Sequence, residues 1–293
     1  MRFYLRLPIN IHVWGGLGSQ LFALALVEDL AQKFPKRSLR MIFHTGGVTY
    51  RKLDIAPLLS EYKFFVKDDY ASHSVARDTR RSVNNISLKV AQLKIFLKKL
   101  TVLLGFSSSL DSDQDFQKCK PWIISVRGHY TYRVISPYSI ERVIEKARLS
   151  GLPIPQIPSS NGIVGIQYRL GDLLDISSKG PIDSDLILQS GISLKQNYPG
   201  LRFLLFSDSL QKAASLLYGL EPIESKSLDP WATITALTEN EFFIGTNSKI
   251  SQWVVILRLH LDHNSNNLVP SRFYEEVSKS LAKDLDYCGY LSM

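Results

Sequence analysis

Two patterns of hydrophobic positions alternate along the chain, and together they predict strands separated by helices. Residues 9–14 and 39–44 are short segments rich in apolar residues, each of the length of a strand. Between them, apolar side chains recur at helical spacing on one face, and Pro35 follows the last of them. These side chains belong to Ala23, Leu26, Val27, Leu30, Ala31 and Phe34. The pattern predicts a strand, an amphipathic helix that ends before Pro35, and a second strand.

The same alternation continues to the C-terminus. Strands are predicted at 122–126, from Ile163, at 202–207 and at 241–245, and helices at 139–149, 184–197, 210–218, 230–238, 250–261 and from Ser271. Strands separated by helices of this length form parallel βαβ units. The sequence therefore predicts the α/β fold class, with parallel, doubly wound sheets.

A proline-rich segment divides the chain into two parts. Residues 151–160 contain three prolines, which cannot continue a helix and favour an extended connector. A length of 293 residues exceeds one ordinary domain. We therefore expect an N-terminal domain over 1–150, a linker over 151–160 and a C-terminal domain over 161–293.

Polar side chains follow three predicted strands of the C-terminal half, at the point where each strand ends. They are Arg169, Gly171 and Asp172 after the first strand, Ser207 and Asp208 after the second, and Thr246, Asn247 and Ser248 after the third. Ligands of open α/β sheets bind beyond the carboxyl ends of the strands, and hydroxyls, an amide and a helix N-terminus suit a phosphate and a ribose. Arg169 suits a diphosphate, because its planar fork holds two oxygens. Alternatively, Arg169 and Asp172 form an ion pair that ties a loop down.

The first predicted strand runs directly into a glycine-rich turn, Gly15 to Gln20, and then into a helix. Glycines let the backbone approach a ligand closely, and a helix N-terminus attracts an anion. Gly16, Gly18, Ser19 and Gln20 are therefore candidate ligand contacts. The spacing is neither the dinucleotide fingerprint nor a P-loop, and a tight turn without a ligand is the alternative.

His44 ends the second predicted strand and would lie at the same edge of the sheet. Its position makes it a candidate general base, as Asp172 is at the edge of the second sheet. The alternative is a structural histidine whose hydrogen bonds are satisfied within the protein.

Composition narrows the classes of partner and of cofactor. A formal charge of +8 and a pI near 9.3 favour an anionic partner, for which nucleotides, nucleic acid and acidic lipid all qualify.

Cys119 and Cys288 lie far apart without metal-type spacing. No apolar run approaches the length of a transmembrane helix. We expect a cytoplasmic protein with free thiols and no bound metal. The D-x-D patterns, of which Asp183-x-Asp185 opens a predicted helix, are better explained as a helix start and a polar loop.

The stretch from Arg77 to Phe106 is both basic and apolar. Its charged residues are Arg77, Arg80, Arg81, Lys89, Lys94, Lys98 and Lys99 against the acid Asp78. A helix of this kind can lie on an anionic membrane. An ordinary surface helix with solvated lysines is the alternative, because the lysines do not collect on one helical face.

Five segments in order resemble the α-1,2-fucosyltransferases of glycosyltransferase family 11. That family carries G-G-L-G-N-Q, a G-Y-x-Q-type segment, H-x-R-x-G-D, F-S-D and N-S-S-F-S-W-W. The corresponding segments here are Gly15 to Phe22, Gly128 to Thr131, Tyr168 to Asp172, Phe206 to Asp208 and Phe242 to Trp253. The chain departs from the family pattern at Ser19, Gln167, Leu170, Lys249 and Gln252.

The resemblance implies a GT-B-like fold of two facing Rossmann-like domains, the second holding a GDP-sugar and the first presenting a glycan or glycolipid acceptor. It implies an inverting, metal-independent transfer of fucose from GDP-fucose in the assembly of a bacterial surface polysaccharide or oligosaccharide. Arg169 would stabilise the departing diphosphate, helped by Thr246 to Ser251, and the guanosine would lie around Ser207 and Asp208. The implied donor-binding set is Gly16, Gly18, Ser19, Gln20, Arg169, Ser207, Asp208, Thr246, Asn247, Ser248 and Ser251.

Two functions of other classes remain open at this point. The departures from the family pattern fit a nucleotide-binding protein without catalysis. The positive charge fits a nucleic-acid-binding protein, although no recognised nucleic-acid module is present and the aromatic residues do not form stacking platforms. We expect no nucleic-acid partner.

Overall fold

A computed structural model describes residues 7–46, 50–69, 96–97, 100–108, 110, 113–128, 130, 135–171, 181–225, 229–262, 265–269 and 288–290. The candidate base Asp172, the predicted helix from Ser271 and most of the basic stretch 77–106 lie outside these residues. The chain divides into two compact units, Met1–Val143 and Ile144–Met293, which we call the N-terminal and C-terminal units. The predicted linker at 151–160 follows this division and stays a prediction as a domain boundary.

The N-terminal unit is built on a parallel five-stranded sheet in the order β3-β2-β1-β5-β4. Its strands are β1 (Ile9–Trp14), β2 (Leu39–His44), β3 (Lys63–Lys67), β4 (Ser107–Ser108) and β5 (Ser125–Val126). Its helices include α1 (Leu17–Lys33), α2 (Asp113–Lys118) and α3 (Pro137–Leu149), the last of which crosses the division between the units. Helix α1 is buried on almost every side from Leu17 to Leu30, which makes it a core helix rather than the one-sided helix that its stripe of apolar residues predicts.

The C-terminal unit is built on a parallel six-stranded sheet in the order β11-β10-β9-β6-β7-β8. Its strands are β6 (Ile163–Gln167), β7 (Arg202–Phe206), β8 (Ile223–Glu224), β9 (Phe242–Gly245), β10 (Asn266–Val269) and β11 (Cys288–Tyr290). Its helices are α4 (Ser184–Asn197), α5 (Leu210–Leu216), α6 (Pro230–Thr238) and α7 (Lys249–Leu261). Counted along the chain, the strand order is third, second, first, fourth, fifth, sixth, which is the order of a Rossmann fold.

The predicted fold class is confirmed: each unit is α/β with a parallel sheet, the two units expected of a GT-B-like fold. Most predicted elements occur within two or three residues of their expected bounds. The strand predicted at 122–126 is an exception, because backbone pairing with β1 and β4 begins only at Ser125. Strands β3, β4, β8, β10 and β11 were not predicted. Several of them are only two or three residues long, and exposed β3 carries no alternating pattern of burial.

Close packing of helices on the central strands explains two details of the sequence. A Cβ atom at Gly165 would lie 2.4 Å from the side chain of Asn240 and 2.9 Å from Leu237, so α6 approaches β6 where only glycine fits. Asp183 caps α4 by accepting a hydrogen bond from the backbone N–H of Asp185 at 3.0 Å, as expected for acids at a helix start. Among the described residues, no helix is long and apolar enough to cross a membrane.

Candidate functional site

The carboxyl ends of β6 and β9 mark the point where the C-terminal sheet changes direction. The chain winds from β6 through β7 to β8 on one side of the sheet, and then from β9 to β11 on the other. Because the connections leave β6 and β9 in opposite directions, a crevice opens between the ends of these two strands, and open α/β sheets bind ligands in this crevice. The residues that follow these strands are Arg169 and Gly171 on one side and Thr246 to Ser248 on the other. The sheet therefore brings together two of the three predicted clusters at its binding edge.

A buried network of hydroxyl groups, centred on the amide of Gln167, holds the end of β9 to the end of β6. The amide oxygen Oε1 accepts hydrogen bonds from Ser251 Oγ at 2.6 Å and from Ser248 Oγ at 2.8 Å. Thr246 Oγ1 donates to the backbone carbonyl of Gln167 at 2.9 Å and accepts the N–H of Arg169 at 3.0 Å. All four network residues, Gln167, Thr246, Ser248 and Ser251, are buried. The predicted contacts Thr246, Ser248 and Ser251 thus use their hydroxyls to shape the loop.

The third predicted cluster joins the same edge through Asp208. Its Oδ1 accepts the backbone N–H groups of Leu170 at 2.9 Å and Gly171 at 3.0 Å. A Cβ atom at Gly171 would lie 2.2 Å from Oδ2 of Asp208, so the loop after β6 comes this close to the carboxylate only because residue 171 is glycine. Oδ2 accepts no hydrogen bond from the described residues, and Asp208 is exposed. Asp208 therefore fixes the loop with one oxygen and presents the other to solvent.

Three further predicted residues keep contact with solvent at this edge. Arg169 is half-buried, its backbone N–H donates to Thr246, and the residue has further interactions within the protein. Ser207 is half-buried and accepts the N–H of Ser209 at 3.1 Å. Asn247 is half-buried, and it directly precedes Ser248, which caps α7 by accepting the N–H of Ser251 at 3.0 Å. The loops after β6 and β9 thus carry a cation, an amide and a helix N-terminus.

The glycine-rich turn lies at the corresponding edge of the N-terminal sheet. Gly15 adopts φ +93°, and a Cβ atom there would lie 2.7 Å from Ser19 Oγ, so this turn requires glycine. Gly16 and Ser19 are half-buried, and Gly18 is buried in the first turn of α1. Gln20 is fully buried, and its amide forms four hydrogen bonds with the backbone of Gly15 and of residues 52–55. Gln20 therefore supports this turn from inside, with no capacity left for a ligand.

His44, predicted as a candidate base, is buried in a polar cluster that the sequence analysis did not find. Its Nδ1 lies 2.6 Å from Oδ2 of Asp69, and its Nε2 lies 2.9 Å from Nδ1 of His12. Burial lowers the pKa of His44, while the Asp69 carboxylate opposes this shift. His44 and Asp172, the two candidate bases, belong to different units, and Asp172 lies outside the described residues.

One sequence signal could have found His12. The residues Asn10, His12 and Trp14 alternate with the buried aliphatic side chains of β1, so they share one face of the strand. A histidine at a polar position of a central strand, two residues before a glycine turn, indicates a side chain near the binding edge. Asp69 gave no such signal, because it is brought to His44 only by the parallel pairing of β2 with β3.

No group of three or more histidine, cysteine, aspartate or glutamate side chains that could hold a metal ion occurs among the described residues.

Comparisons with known proteins give a distant structural likeness. No family model matches the chain. No curated protein matches it either. Among solved structures, the chain is similar to E. coli heptosyltransferase WaaC with ADP (TM-score 0.44, 13% identity, 97% of this chain and 92% of that chain). It is similar to E. coli ADP-heptose lps heptosyltransferase II (TM-score 0.44, 11% identity, 96% and 89%). It is also similar to POFUT1 in complex with GDP (TM-score 0.39, 11% identity, 88% and 98%). All three TM-scores lie below 0.5, so no function is carried over from these structures, and the resemblance to glycosyltransferase family 11 stays a prediction.

Proposed function

We propose that the protein is an inverting glycosyltransferase that takes its sugar from a nucleoside diphosphate donor bound by the C-terminal unit. The observation that carries the proposal is the meeting of Arg169, Asp208 and the Thr246 to Ser251 segment at the switch point between β6 and β9. This crevice is where a Rossmann-type sheet binds a nucleotide.

The chemistry of transfer explains why these residue types suit the crevice. As the bond between the anomeric carbon and the diphosphate oxygen breaks, negative charge grows on the departing diphosphate while the sugar becomes positive. Arg169 offers two aligned donors to that charge. Its backbone is fixed in advance by the buried hydroxyl of Thr246, and preorganised donors stabilise a transition state without the cost of reorientation.

The network around Gln167 bears on catalytic competence. The family pattern has histidine at this position. Here the amide oxygen of Gln167 accepts hydrogen bonds from the hydroxyl groups of Ser248 and Ser251. A neutral imidazole has one acceptor nitrogen and could not accept both. The departure from the family pattern is thus accommodated by the loop after β9. This supports a working donor site in which position 167 acts as a scaffold.

We propose GDP-fucose as the donor, on the family resemblance and on the geometry around Ser207 and Asp208. The open carboxylate oxygen of Asp208 is an acceptor, which suits the N–H groups on the edge of guanine, whereas uracil and adenine present fewer donors there. The acceptor proposed from the same resemblance is a hydroxyl group of a glycan or glycolipid.

A thermal-shift panel tests the donor. GDP and GDP-fucose should raise the melting temperature more than ADP, UDP and their sugars at equal concentration. A ligand at about 100 times its Kd stabilises the folded state by about 2.7 kcal/mol, which such a panel resolves. Larger shifts with UDP-sugars or ADP-sugars would remove the guanosine assignment. Shifts without turnover of any sugar would favour a nucleotide-binding protein that lacks catalysis.

We also propose that transfer needs no metal, because Arg169 and the N-terminus of α7 supply positive charge at the crevice. GDP release from GDP-fucose should survive EDTA. Loss of turnover on chelation, restored by manganese or magnesium, would contradict this part of the proposal.

We propose that the protein is cytoplasmic and that the stretch 77–106 makes a peripheral contact with the inner membrane face. In the described part of this stretch, Phe96, Leu97, Leu103 and Leu104 are exposed, Leu103 by 82%. Apolar side chains within a basic segment suit an anionic lipid surface.

A further inference from the structure

Three polar side chains of the N-terminal unit are joined in series by hydrogen bonds. Oδ2 of Asp69 lies 2.6 Å from Nδ1 of His44, and Nε2 of His44 lies 2.9 Å from Nδ1 of His12. All three are buried, with exposed fractions of 8%, 4% and 9% for Asp69, His44 and His12. We call this series the Asp69–His44–His12 chain.

Strand register explains why the chain forms. In the parallel pairing of β1 with β2, Trp14 lies beside His44, and His12 lies two residues earlier on the same face. The indole of Trp14 stacks on the His44 ring, with centroids 4.3 Å apart and planes at 9°. Tyr130 donates its hydroxyl to the backbone carbonyl of His12 at 2.6 Å. The two imidazole rings are therefore held in fixed orientations.

Asp69 is also fixed in place, at the other end of the chain. Its Oδ1 accepts the backbone N–H of Gly46 at 2.9 Å, and its own N–H donates to Thr45 Oγ1 at 3.1 Å. Both partners follow β2, so the loop after this strand aims the carboxylate at His44.

The order of the three groups in the Asp69–His44–His12 chain determines which ring nitrogens carry a proton. An ionised carboxylate only accepts hydrogen bonds, so Nδ1 of His44 carries a proton and Nε2 of neutral His44 accepts. Nδ1 of His12 is then the donor to His44, and Nε2 of neutral His12 carries a lone pair. In the part of the chain that the structure describes, Nε2 of His12 has no hydrogen-bond partner. Among the described residues, this series of hydrogen bonds therefore ends in a nitrogen whose lone pair accepts no hydrogen bond.

Surrounding charges keep His12 neutral. Burial, helped by the positive charges of Arg127, His44 and Lys67, lowers the pKa of His12 to about 4. The pKa of His44 is also lowered by burial, with Lys67 and Arg127 adding to the shift and Asp69 opposing it. Both rings are consequently unprotonated, and able to accept a proton, in the neutral range.

The location of His12 points to an acceptor-side role. It lies near the carboxyl end of β1, the central strand of the N-terminal sheet, whose other neighbour β5 is followed by exposed Arg127. Strands β1 and β5 are joined in the sheet but not in sequence, so a crevice opens beyond their ends, as it does between β6 and β9. A histidine at such an edge, with one nitrogen fixed and the other without a partner among the described residues, has the arrangement of a general base with its orienting group.

We propose that His12 is the general base of the transfer reaction, and that His44 and Asp69 are positioning residues that orient its ring and share the proton. This inference rests on the proposed glycosyltransferase function. The oxygen of the acceptor hydroxyl bonds to the anomeric carbon, and the diphosphate leaves with the electrons of the bond that breaks. The hydroxyl proton passes to Nε2 of His12. Transfer of the Nδ1 proton to His44 then places the positive charge beside Asp69, and the proton is later released to water.

The variant His12→Asn tests the base directly. The asparagine amide can still donate to Nε2 of His44, but it offers no basic nitrogen in place of Nε2 of His12. Because general base catalysis contributes about 10²–10⁴-fold, kcat for GDP release from GDP-fucose, with lactose as acceptor, should fall by a factor in that range. The shift in melting temperature caused by GDP should not change. The matched control is His260→Asn, the same substitution in the last turn of α7, which should leave kcat unaltered.

The pH dependence distinguishes positioning from structural support. Because the pKa of His12 is about 4, wild-type kcat/KM should be level through the neutral range and fall as the pH approaches about 4. Asp69→Asn removes the carboxylate that opposes the lowering of the His44 pKa, so His44 takes up the relayed proton less readily. We therefore expect kcat to fall at every pH, while the acid limb, which belongs to His12, stays in place. A residue that only supported the fold would lower the melting temperature without lowering kcat of the folded protein.

Nitrogen-15 NMR of the wild-type protein gives a readout independent of turnover. His12 should carry its proton on Nδ1 and none on Nε2 at neutral pH. The proposal is overturned if Nε2 is protonated there, or if His12→Asn keeps the wild-type kcat while GDP-fucose still binds and reacts. If no nucleotide sugar stabilises the wild-type protein, the proposed function itself fails and the base assignment fails with it.

Discussion

Single polar residues at the C-terminal sheet edge divide into two groups by burial. Thr246, Ser248 and Ser251 are enclosed and hydrogen-bonded within the protein. Arg169, Ser207, Asp208 and Asn247 keep contact with solvent. Hydroxyl groups that the sequence suggests as ligand contacts therefore position the loop, and Arg169 is the residue to which we assign the proposed contact with a diphosphate.

Arg169→Lys should reduce turnover far more than it reduces stability. Lysine keeps the charge and most of the stem, but it cannot hold two oxygens in one plane. Removal of one preorganised donor costs about 10²–10³ in rate. Folding should change little, because Thr246 binds the backbone N–H of residue 169 whatever its side chain. The measurements are kcat with GDP-fucose and the melting temperature without ligand.

Arg202→Lys is the matched control for this variant. Arg202 is exposed at the start of β7, at the opposite end of the sheet from the crevice, so the same substitution there should leave kcat unchanged. Wild-type kcat in Arg169→Lys, or a joint loss of fold and activity, would contradict the role assigned to Arg169.

The lowered pKa of His12 should make stability sensitive to acid. The ordinary pKa of 6.5 applies to the unfolded chain, whereas the folded pKa is about 4, so the unfolded chain binds the proton more tightly. The contribution of neutral His12 is fully present above 6.5 and is lost progressively as the pH falls from 6.5 towards about 4. Urea unfolding of wild type and His12→Asn across this window measures it. An equal loss of stability in both proteins would assign the acid sensitivity to other groups.

Among the structural elements, the loop after β6 is held by contacts from two neighbouring strands. Thr246, after β9, binds the N–H of Arg169, and Asp208, after β7, binds the N–H groups of Leu170 and Gly171. Each contact comes from the carboxyl end of a strand paired with β6. The conformation of the loop is therefore a property of the sheet, and small changes beside it should alter ligand binding before they alter folding.

Gly171→Ala should weaken GDP binding by displacing this loop. The new Cβ atom would lie 2.2 Å from Oδ2 of Asp208, so the carboxylate or the loop must shift. A small displacement of a binding group can cost about 10²-fold in activity. Calorimetric titration with GDP measures the affinity. The control is Gly219→Ala in the same unit, where the nearest atom, Leu188 Cδ2, lies 3.5 Å away at ordinary contact distance. Equal affinities for the two variants would show that the loop does not shape the site.

At the scale of the whole molecule, charge and exposed apolar surface lie in the same part of the sequence. The chain carries a net charge of +8, and the stretch 77–106 contributes seven basic residues within it. The described residues of that stretch expose Phe96, Leu97, Leu103 and Leu104. In the proposed membrane contact, basic charge would attract this stretch to anionic lipid, and the apolar side chains would insert between headgroups.

Leu103→Glu combined with Leu104→Glu should reduce binding to vesicles that contain phosphatidylglycerol. The substitutions add negative charge and remove apolar surface where wild type exposes 82% of Leu103. Cosedimentation with vesicles is the measurement, and Tyr218→Glu is the control, because Tyr218 is 80% exposed in the C-terminal unit. Equal binding of wild type to phosphatidylglycerol and to phosphatidylcholine vesicles would rule out the membrane contact.

The amino-acid sequence by itself determined most of the main elements and the edge of each sheet at which the polar candidate residues lie. The spacing of hydrophobic residues predicts β1, β2, β6, α4 and α6, because each of these elements must bury one face or be wholly enclosed. Polar residues after strands are visible in the sequence because a parallel sheet brings all carboxyl ends to one edge. That edge could be predicted without knowing the order of the strands.

Only the tertiary structure decided what each side chain at these edges does. The order of strands sets which loops meet, so the switch point at β6 and β9 and the contact of Asp69 with His44 depend on pairing between residues far apart in sequence. Arg258 makes the same point inside α7, a helix that the sequence predicts. Its side chain is fully buried and donates hydrogen bonds to the backbone carbonyls of Thr238 and Glu241 and to the side chain of Asn267. Local pattern reports whether a residue lies in a helix or strand, whereas burial, proton position and hydrogen-bond partners are fixed by neighbours that local pattern cannot specify.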